Sequence, residues 1–117
     1  MGAPVVHFEI LGKDGKGLQN YYSSLFDWEI DSNNPMNYGI VKAEEKGIGG
    51  GIGEPMEGYP APVTFYVDVE DPDVCLKEIE SLGGKVIVPT TVILNMVTYS
   101  LFSDPEGNIV GIVKSES

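Results

Sequence analysis

The hydrophobic and polar positions of the chain follow the same order twice. Residues 4–30 (PVVHFEILGKDGKGLQNYYSSLFDWEI) and 62–88 (PVTFYVDVEDPDVCLKEIESLGGKVIV) align without a gap at an offset of 58. Each segment opens with a proline and an alternating apolar run, continues with apolar positions at helical spacing, and closes on a second β-rich run. The pattern therefore predicts strand, helix and strand in each half of the chain.

Acidic residues mark where both helices begin. Asp71 can cap the second helix, Pro72 suits its first position, and Gly83-Gly84 ends it. Its apolar stripe is expected to contain Cys75, Ile79 and Leu82. Asp14 is the corresponding cap of the first helix. Cys75, on that apolar stripe, is interpreted as a packed hydrophobic residue and not as a nucleophile.

Each unit is followed by material for two more strands. NYGIVKA (37–43) and GIGGGIG (47–53) lie in the first half, and MVTYSLFS (96–103) and NIVGIVK (108–114) lie in the second. The connecting segment EPMEGYPAP (54–62) is rich in proline and is expected to be extended. The chain is therefore expected to form β-α-β-β-β twice, as one domain over 1–117 with modules of about 1–58 and 59–117.

The segment KGIGGGIGEP (46–55) contains five glycines and is interpreted as a strand. A phosphate-binding loop requires a following helix, whereas Pro55 follows here. A linker is disfavoured because Ile48 and Ile52 keep a period of two, with Gly50 between them on the same face. Glycine weakens a strand unless something approaches its backbone closely. Either a ligand, or a helix or partner strand, is expected to occupy that space.

Composition narrows the function classes. Seven basic and 18 acidic residues give a net charge of −11, which disfavours nucleic-acid binding and would attract cations, although it also serves solubility. One cysteine fits a reducing compartment, and neither a signal peptide nor an apolar run of about 20 residues is apparent. A soluble, cytoplasmic protein without membrane partners is expected.

The repeated order of VVHFEI, YYSSLFDWEI, DVEDPDVCLKEIESLGGKVI and SDPEGNIVGIV resembles the vicinal oxygen chelate superfamily, which groups glyoxalase I, bleomycin-resistance proteins and extradiol dioxygenases. The resemblance covers almost the whole chain. It implies an α+β fold in which two βαβββ modules form a cupped mixed sheet around a central cavity. It also implies a homodimer, because such sheets usually need a second chain to close the pocket.

Catalytic members of that superfamily hold a divalent metal with residues from the first and last strand of each module. The resemblance carries these four positions to His7, Gly50, Phe65 and Gly111, of which only His7 is a ligand type. The chain therefore resembles the metal-free branch, and neither a metal nor another cofactor is expected. Because Gly111 is empty at the corresponding wall, ligand space is the favoured explanation for Gly50.

Other candidate residues follow from alternation and from the same resemblance. Glu9 shares a strand face with His7, and the two are candidates for ligand contact or proton transfer. Trp28 is a candidate for the pocket wall, although packing in the core is the favoured interpretation. Met96 belongs to an aliphatic group that lines the mouth of the cup, forms a dimer contact, or lies in an ordinary buried strand. The other members of this group are Val92, Ile93 and Leu94.

Three functions remain open at this point. The favoured one is a metal-independent small-molecule-binding protein of the glyoxalase and bleomycin-resistance type, which sequesters a cationic or hydrophobic ligand. The second is a glyoxalase-like lyase or isomerase that uses His7 and Glu9. The third is a regulatory or structural partner without chemistry.

Overall fold

The computed structural model describes residues 2–115. The elements follow the order β-α-β-β-β twice, which confirms the repeat. The first module comprises β1 (Val5–Leu11), α1 (Gly15–Phe26), β2 (Ile30–Asp31), β3 (Gly39–Val41) and β4 (Gly50–Gly53). The second comprises β5 (Val63–Val69), α2 (Pro72–Ser81), β6 (Lys85–Ile93), β7 (Val97–Ser103) and β8 (Ile109–Lys114).

The described chain divides into two compact units, each a mixed sheet with one helix against it. The first unit spans residues 6–64 and has the strand order β2-β3-β4-β1. Its β1 and β4 are parallel, and β3 is antiparallel to both of its neighbours. Helix α1 packs on β4. The parallel pairing of β1 and β4 places the glycine-rich strand directly beside His7, Phe8 and Glu9.

The second unit contains residues 65–115 and residues 2–5, and its strand order is β5-β8-β7-β6. Its β5 and β8 are parallel, whereas β7 is antiparallel to β6 and β8. The amino-terminal residues join this unit because the Asp68 N–H donates to the Pro4 carbonyl. Helix α2 packs on β6, β7 and β8.

Each unit has its own buried apolar residues. In the first unit these are Val41, Ile52 and Ala61, and Ile52 is fully buried. In the second unit they are Tyr66, Leu76, Tyr99, Leu101 and Ile112, and Leu101 is fully buried. The central strands β4 and β7 therefore carry the best-buried side chains.

Both helix starts are as predicted, but the apolar stripe of α2 is not. Asp14 accepts a hydrogen bond from the Gly17 N–H, and Asp71 accepts from the N–H groups of Asp73 and Val74. Leu82 lies beyond the last turn of α2 and is 72% exposed, whereas Leu76 is buried. The sequence placed Leu82 on the buried face because helical spacing was continued past the point where the helix ends.

The two turns of the second module differ in how well they were predicted. The turn between β7 and β8, which joins the two predicted strands, forms around Asp104, whose carboxylate accepts from the N–H groups of Glu106 and Asn108. Strand β6 ends at Ile93, and the tip of the hairpin exposes the other aliphatic side chains of this segment. These are Val92, Leu94 and Met96, so the interpretation as an ordinary buried strand is wrong for them.

The connecting segment 54–62 is not extended throughout. A turn forms where the Tyr59 N–H donates to the Met56 carbonyl, and Gly58 adopts a φ of 77°. Only residues such as glycine adopt this left-handed conformation readily, so Gly58 fixes the turn. The turn brings Tyr59 back toward β1.

These elements confirm the α+β class and the paired βαβββ modules. The cup, its central cavity and the division of one domain near residue 58 stay predictions. Within residues 2–115, no helix is long and apolar enough to cross a membrane.

Candidate functional site

The two faces of β1 carry different chemistry. The register pairs Phe8 with Gly50 and Glu9 with Gly51, and paired residues of neighbouring strands point to the same face. Phe8 and Gly50 therefore share one face, while His7 and Glu9 share the opposite face with Gly51.

The ring of Tyr38 fills the space above Gly51 on the face of His7 and Glu9. A Cβ atom at Gly51 would overlap the Tyr38 hydroxyl and ring carbons, and one at Gly53 would lie 3.2 Å from the Tyr38 Cδ1. Glycine is needed at position 51 because the Tyr38 ring lies against the strand backbone. The glycine-rich strand thus accommodates a tyrosine of the same unit.

Tyr38 connects the two predicted side chains of β1. Its hydroxyl donates to Glu9 Oε2 over 2.8 Å, and His7 Nε2 lies 2.9 Å from the Tyr38 hydroxyl oxygen. The Tyr59 hydroxyl donates to Glu9 Oε1 over 3.0 Å. These four half-buried residues, His7, Glu9, Tyr38 and Tyr59, are called the Glu9 network below.

The hydrogen bonds of the Glu9 network have a direction. The single Tyr38 hydroxyl proton is directed to Glu9, so the Tyr38 oxygen acts as the acceptor toward His7. His7 therefore carries its proton on Nε2 in the neutral imidazole. Protons point from His7 to Tyr38 and from both tyrosines to the carboxylate.

Burial sets the protonation states of this network. It lowers the pKa of His7 below 6.5, with the Glu9 carboxylate acting in the opposite direction. It raises the pKa of Tyr38 above 10, and the charge of Glu9 and its hydrogen bond add to that increase. At neutral pH the imidazole is uncharged and the Tyr38 phenol keeps its proton.

The backbone around Tyr38 is held by two side chains. The Asn34 amide accepts from the Tyr38 N–H over 3.0 Å and donates to the Tyr38 carbonyl over 2.7 Å. Gln19 of α1 is buried, and its Nε2 donates to the carbonyls of Asn37 and Ile52. Asn37 has a φ of 53°, a left-handed conformation that asparagine tolerates. Asn34 and Gln19 thus orient Tyr38 from its backbone.

Gly50 and Trp28 do not join the Glu9 network. A Cβ at Gly50 would overlap the Phe8 ring, so a neighbouring side chain and not open ligand space explains this glycine. Trp28 packs against the same Phe8 ring, with a centroid distance of 5.4 Å, and stacks on Tyr22 at 5.8 Å. Gly50 and Trp28 therefore both lie beside Phe8, on the side of β1 opposite His7 and Glu9. Trp28 is half-buried in these ring contacts, and ligand contact by Trp28 stays a prediction.

In the second unit, too, a neighbouring ring occupies the space beside the predicted glycine. Gly111 pairs with Tyr66, and a Cβ at Gly111 would overlap the Tyr66 ring. Phe65 precedes Tyr66 on β5 and therefore points to the face opposite Tyr66 and Gly111. Phe65 and Gly111 thus do not line one wall together. Met96 lies in the β6–β7 turn and is 51% exposed. Ligand contact by Phe65 and Met96 stays a prediction.

A one-residue error in strand alignment explains both glycine positions. In the observed register, Gly51 shares the face of His7, and Ile112 pairs with Val67, two residues beyond Phe65 on the same face. Because side chains alternate along a strand, a shift of one residue moves a predicted contact to the other face. The apolar Ile52 was a sequence signal for the correct face, because it matches Ile10 on the apolar face of β1 and so places its neighbour Gly51 on the face of His7.

The side chains present do not fit a chelated metal. Within residues 2–115, no group of three His, Cys, Asp or Glu side chains could hold a metal ion. His7 points a protonated nitrogen at Tyr38, and Glu9 accepts from two tyrosine hydroxyls. A cation would have to displace these donors, and no carboxylate stands at Gly51 to replace them.

Sequence analysis did not single out Tyr38 or Tyr59. Tyr38 was assigned to a predicted strand, and Tyr59 to an extended connection. Their contacts with β1 join residues 31 and 50 positions apart, which local spacing does not reveal. The available signal was indirect, because consecutive small residues in a strand require a large neighbour.

Comparison with known proteins gives relatives in sequence and in structure. No family model matches the chain. "Putative glyoxylase CFP32" of Mycobacterium bovis is 32% identical over 78 residues, which are 67% of this chain and 30% of that protein. "Anthracycline biosynthesis protein DnrV" of Streptomyces peucetius is 25% identical over 123 residues, which are 91% of this chain and 44% of that protein. The chain spans less than half the length of these two relatives.

A solved structure supports the same relationship at the level of the fold. A glyoxalase/bleomycin resistance protein/dioxygenase superfamily member from Vibrio splendidus superposes with a TM-score of 0.64. The alignment covers 97% of this chain and 98% of that one, at 16% sequence identity. At this identity the likeness concerns the fold alone.

Proposed function

Because the chain belongs to the vicinal oxygen chelate superfamily, we propose that it is a metal-independent small-molecule-binding protein of the glyoxalase and bleomycin-resistance type. The observation that supports this most directly is the position of Tyr38. Its ring covers Gly51, and its hydroxyl bonds to both His7 and Glu9. The polar side chains of this face are thereby held by hydrogen bonds to one another, and they can offer hydrogen bonds to a small molecule.

The charge of the protein and the make-up of the Glu9 network support a cationic or hydrophobic ligand. A net charge of −11 raises the local concentration of cations and disfavours anionic ligands. The Glu9 network combines phenol rings with a carboxylate, and few polar groups beside apolar surface are typical of small-molecule sites. The proposal includes a homodimer as the form that binds the ligand. It also includes ligand contact by Phe65 and Met96.

Metal content and ligand response test the proposal together. Protein purified without chelator is analysed for metals by mass spectrometry, and its melting temperature is followed with EDTA and with divalent ions. We expect substoichiometric metal and no change with EDTA. Screening small molecules by thermal shift and ligand-observed NMR should give binders that persist in EDTA. A stoichiometric, tightly held metal needed for binding would refute the proposal.

Light scattering tests the expected dimer. A mass near twice 12.6 kDa at micromolar concentration would support a dimer, and a mass of one chain would contradict it.

An enzyme is the second candidate, and the Tyr38–Glu9 hydrogen bond is the observation that favours it. A protonated phenol beside a carboxylate offers a proton donor and a proton acceptor within 2.8 Å. Such a pair suits proton transfer at a carbon next to a carbonyl, as a lyase or isomerase requires. Deuterium incorporation from D₂O into hemithioacetals and acyl thioesters, followed by NMR, tests this. Exchange that is lost in Glu9→Gln but kept in Glu45→Gln would establish it; no exchange with any of these compounds would exclude this use of the pair.

A further inference from the structure

We propose that Glu9, held between the hydroxyls of Tyr38 and Tyr59, anchors the protonated amine of the ligand. This inference rests on the proposed small-molecule binding and names the group that the Glu9 network recognises. The network was not assigned by sequence, since two of its four members came only from the structure.

The geometry fixes the Glu9 carboxylate before a ligand arrives. Each of its oxygens accepts from a different tyrosine, Oε2 from Tyr38 and Oε1 from Tyr59. Tyr38 is in turn fixed by the Asn34 amide, which bonds to both its N–H and its carbonyl. A carboxylate whose rotation is restricted loses little conformational freedom when it binds a ligand. The anchor is therefore preorganised.

The two tyrosine hydroxyls that hold the carboxylate are neutral. Two phenols donate to it, and the nearby His7 is uncharged at neutral pH because burial lowers its pKa. The four lysines of this unit lie at exposed positions 13, 16, 42 and 46. The two phenols therefore orient the Glu9 carboxylate and add no positive charge to it.

An ammonium group matches this arrangement better than a neutral acceptor or an anion. A carboxylate accepts hydrogen bonds only, so the ligand must supply the donor. A charged N–H donor forms a shorter and stronger hydrogen bond with a carboxylate than a neutral one does. The net charge of −11 adds long-range attraction of the same sign. A primary or secondary amine, protonated at neutral pH, meets all three conditions.

Matched probe pairs test the anchor. We would measure binding of dansylcadaverine, tyramine and an amino-sugar anthracycline, each beside its N-acetylated derivative, by ligand-observed NMR and fluorescence at low salt. The N-acetyl group keeps the apolar body and removes the positive charge. We expect each amine that binds to do so at least about tenfold more tightly than its N-acetyl partner.

Variants then assign the effect to Glu9. Glu9→Gln should remove most of the preference for the amine, whereas Glu45→Gln, the same charge change at an exposed turn, should alter it less than about twofold. Tyr59→Phe keeps the charge but releases one carboxylate oxygen, and should weaken amine binding by a few fold. If Glu9→Gln does not fold, the probe pairs and Tyr59→Phe still decide the question.

The possible failures are distinguishable. Binding that is equal for amines and N-acetyl derivatives, or a preference unchanged in Glu9→Gln, would overturn the amine anchor and leave the proposed binding function intact. Absence of binding by every amine and N-acetyl probe would overturn both. A preference that requires added metal would overturn the proposed function on which the anchor rests.

Discussion

Tyr38 lies where a side chain at Gly51 would otherwise stand. A Cβ atom at Gly51 would overlap the Tyr38 hydroxyl, the group that bonds to both His7 and Glu9. The position of the Tyr38 ring therefore depends on glycine at position 51 of β4. Without the glycine, the phenol could not reach the face of β1.

Gly51→Ala should destabilise the protein by about 1–3 kcal/mol, because the Tyr38 ring must move away from the strand. Gly47→Ala is the matched control, since nothing lies within 4 Å of a Cβ there, and we expect a change below about 0.5 kcal/mol. Urea unfolding followed by circular dichroism measures both values. In a Tyr38→Ala background the cost of Gly51→Ala should largely disappear. An unchanged cost in that background would show that the ring is not its cause.

Tyr38→Phe removes the hydroxyl but keeps the ring over Gly51. Glu9 Oε2 loses a donor and His7 Nε2 loses an acceptor, so we expect a loss of about 1–2 kcal/mol in the free energy of unfolding. Tyr21→Phe, an exposed position on α1, should change it by less than about 0.5 kcal/mol. Equal effects of the two substitutions would contradict the contribution of the Glu9 network to stability.

The single histidine gives a pH signature that can be assigned to one residue. Burial lowers the pKa of His7 in the folded protein below its usual 6.5, so the unfolded chain binds the proton more readily. The stability linked to His7 is present above pH 6.5 and decreases as the pH falls from there toward the folded-state pKa. An NMR titration of the imidazole should give a pKa below 6.5.

His7→Gln isolates this effect from the carboxylates. We expect the melting temperature of the variant to change less than that of the parent protein between pH 7.5 and 5.5. Identical pH dependence in both proteins would show that His7 does not contribute in this window.

Gln19→Ala tests the support behind Tyr38. The buried Gln19 amide donates to the carbonyls of Asn37 and Ile52, and its loss should cost about 2 kcal/mol. Asn20→Ala, on the exposed side of the same helix, is the control and should be close to neutral. Thermal and urea unfolding measure the difference. A neutral Gln19→Ala would mean that these backbone carbonyls are satisfied in another way.

Local chemistry made part of the fold predictable. Asp14 and Asp71 were recognised as caps because a cap bonds to an N–H two or three residues away, within the reach of a sequence pattern. The repeat fixed the order of strands and helices because both modules follow the same alternation. The boundary error at Leu82 arose where the periodic pattern continued beyond the helix.

The site was less predictable because it depends on register and on distant contacts. His7 and Glu9 were found from alternation within one strand. Gly50 was placed on their face by an alignment that was one residue out, whereas the structure puts Gly51 there. Tyr38 reaches His7 across 31 residues, and no periodicity in the chain encodes that distance.

The packing of Trp28 determines what intrinsic fluorescence can report. It is the only tryptophan, and it stacks on Tyr22 and packs against Phe8 on the helix side of β1. Its emission should therefore follow the melting of this aromatic cluster and respond weakly to occupancy of the opposite face. Ligand binding at Glu9 is better monitored through the absorbance of the tyrosines or through a label on the ligand.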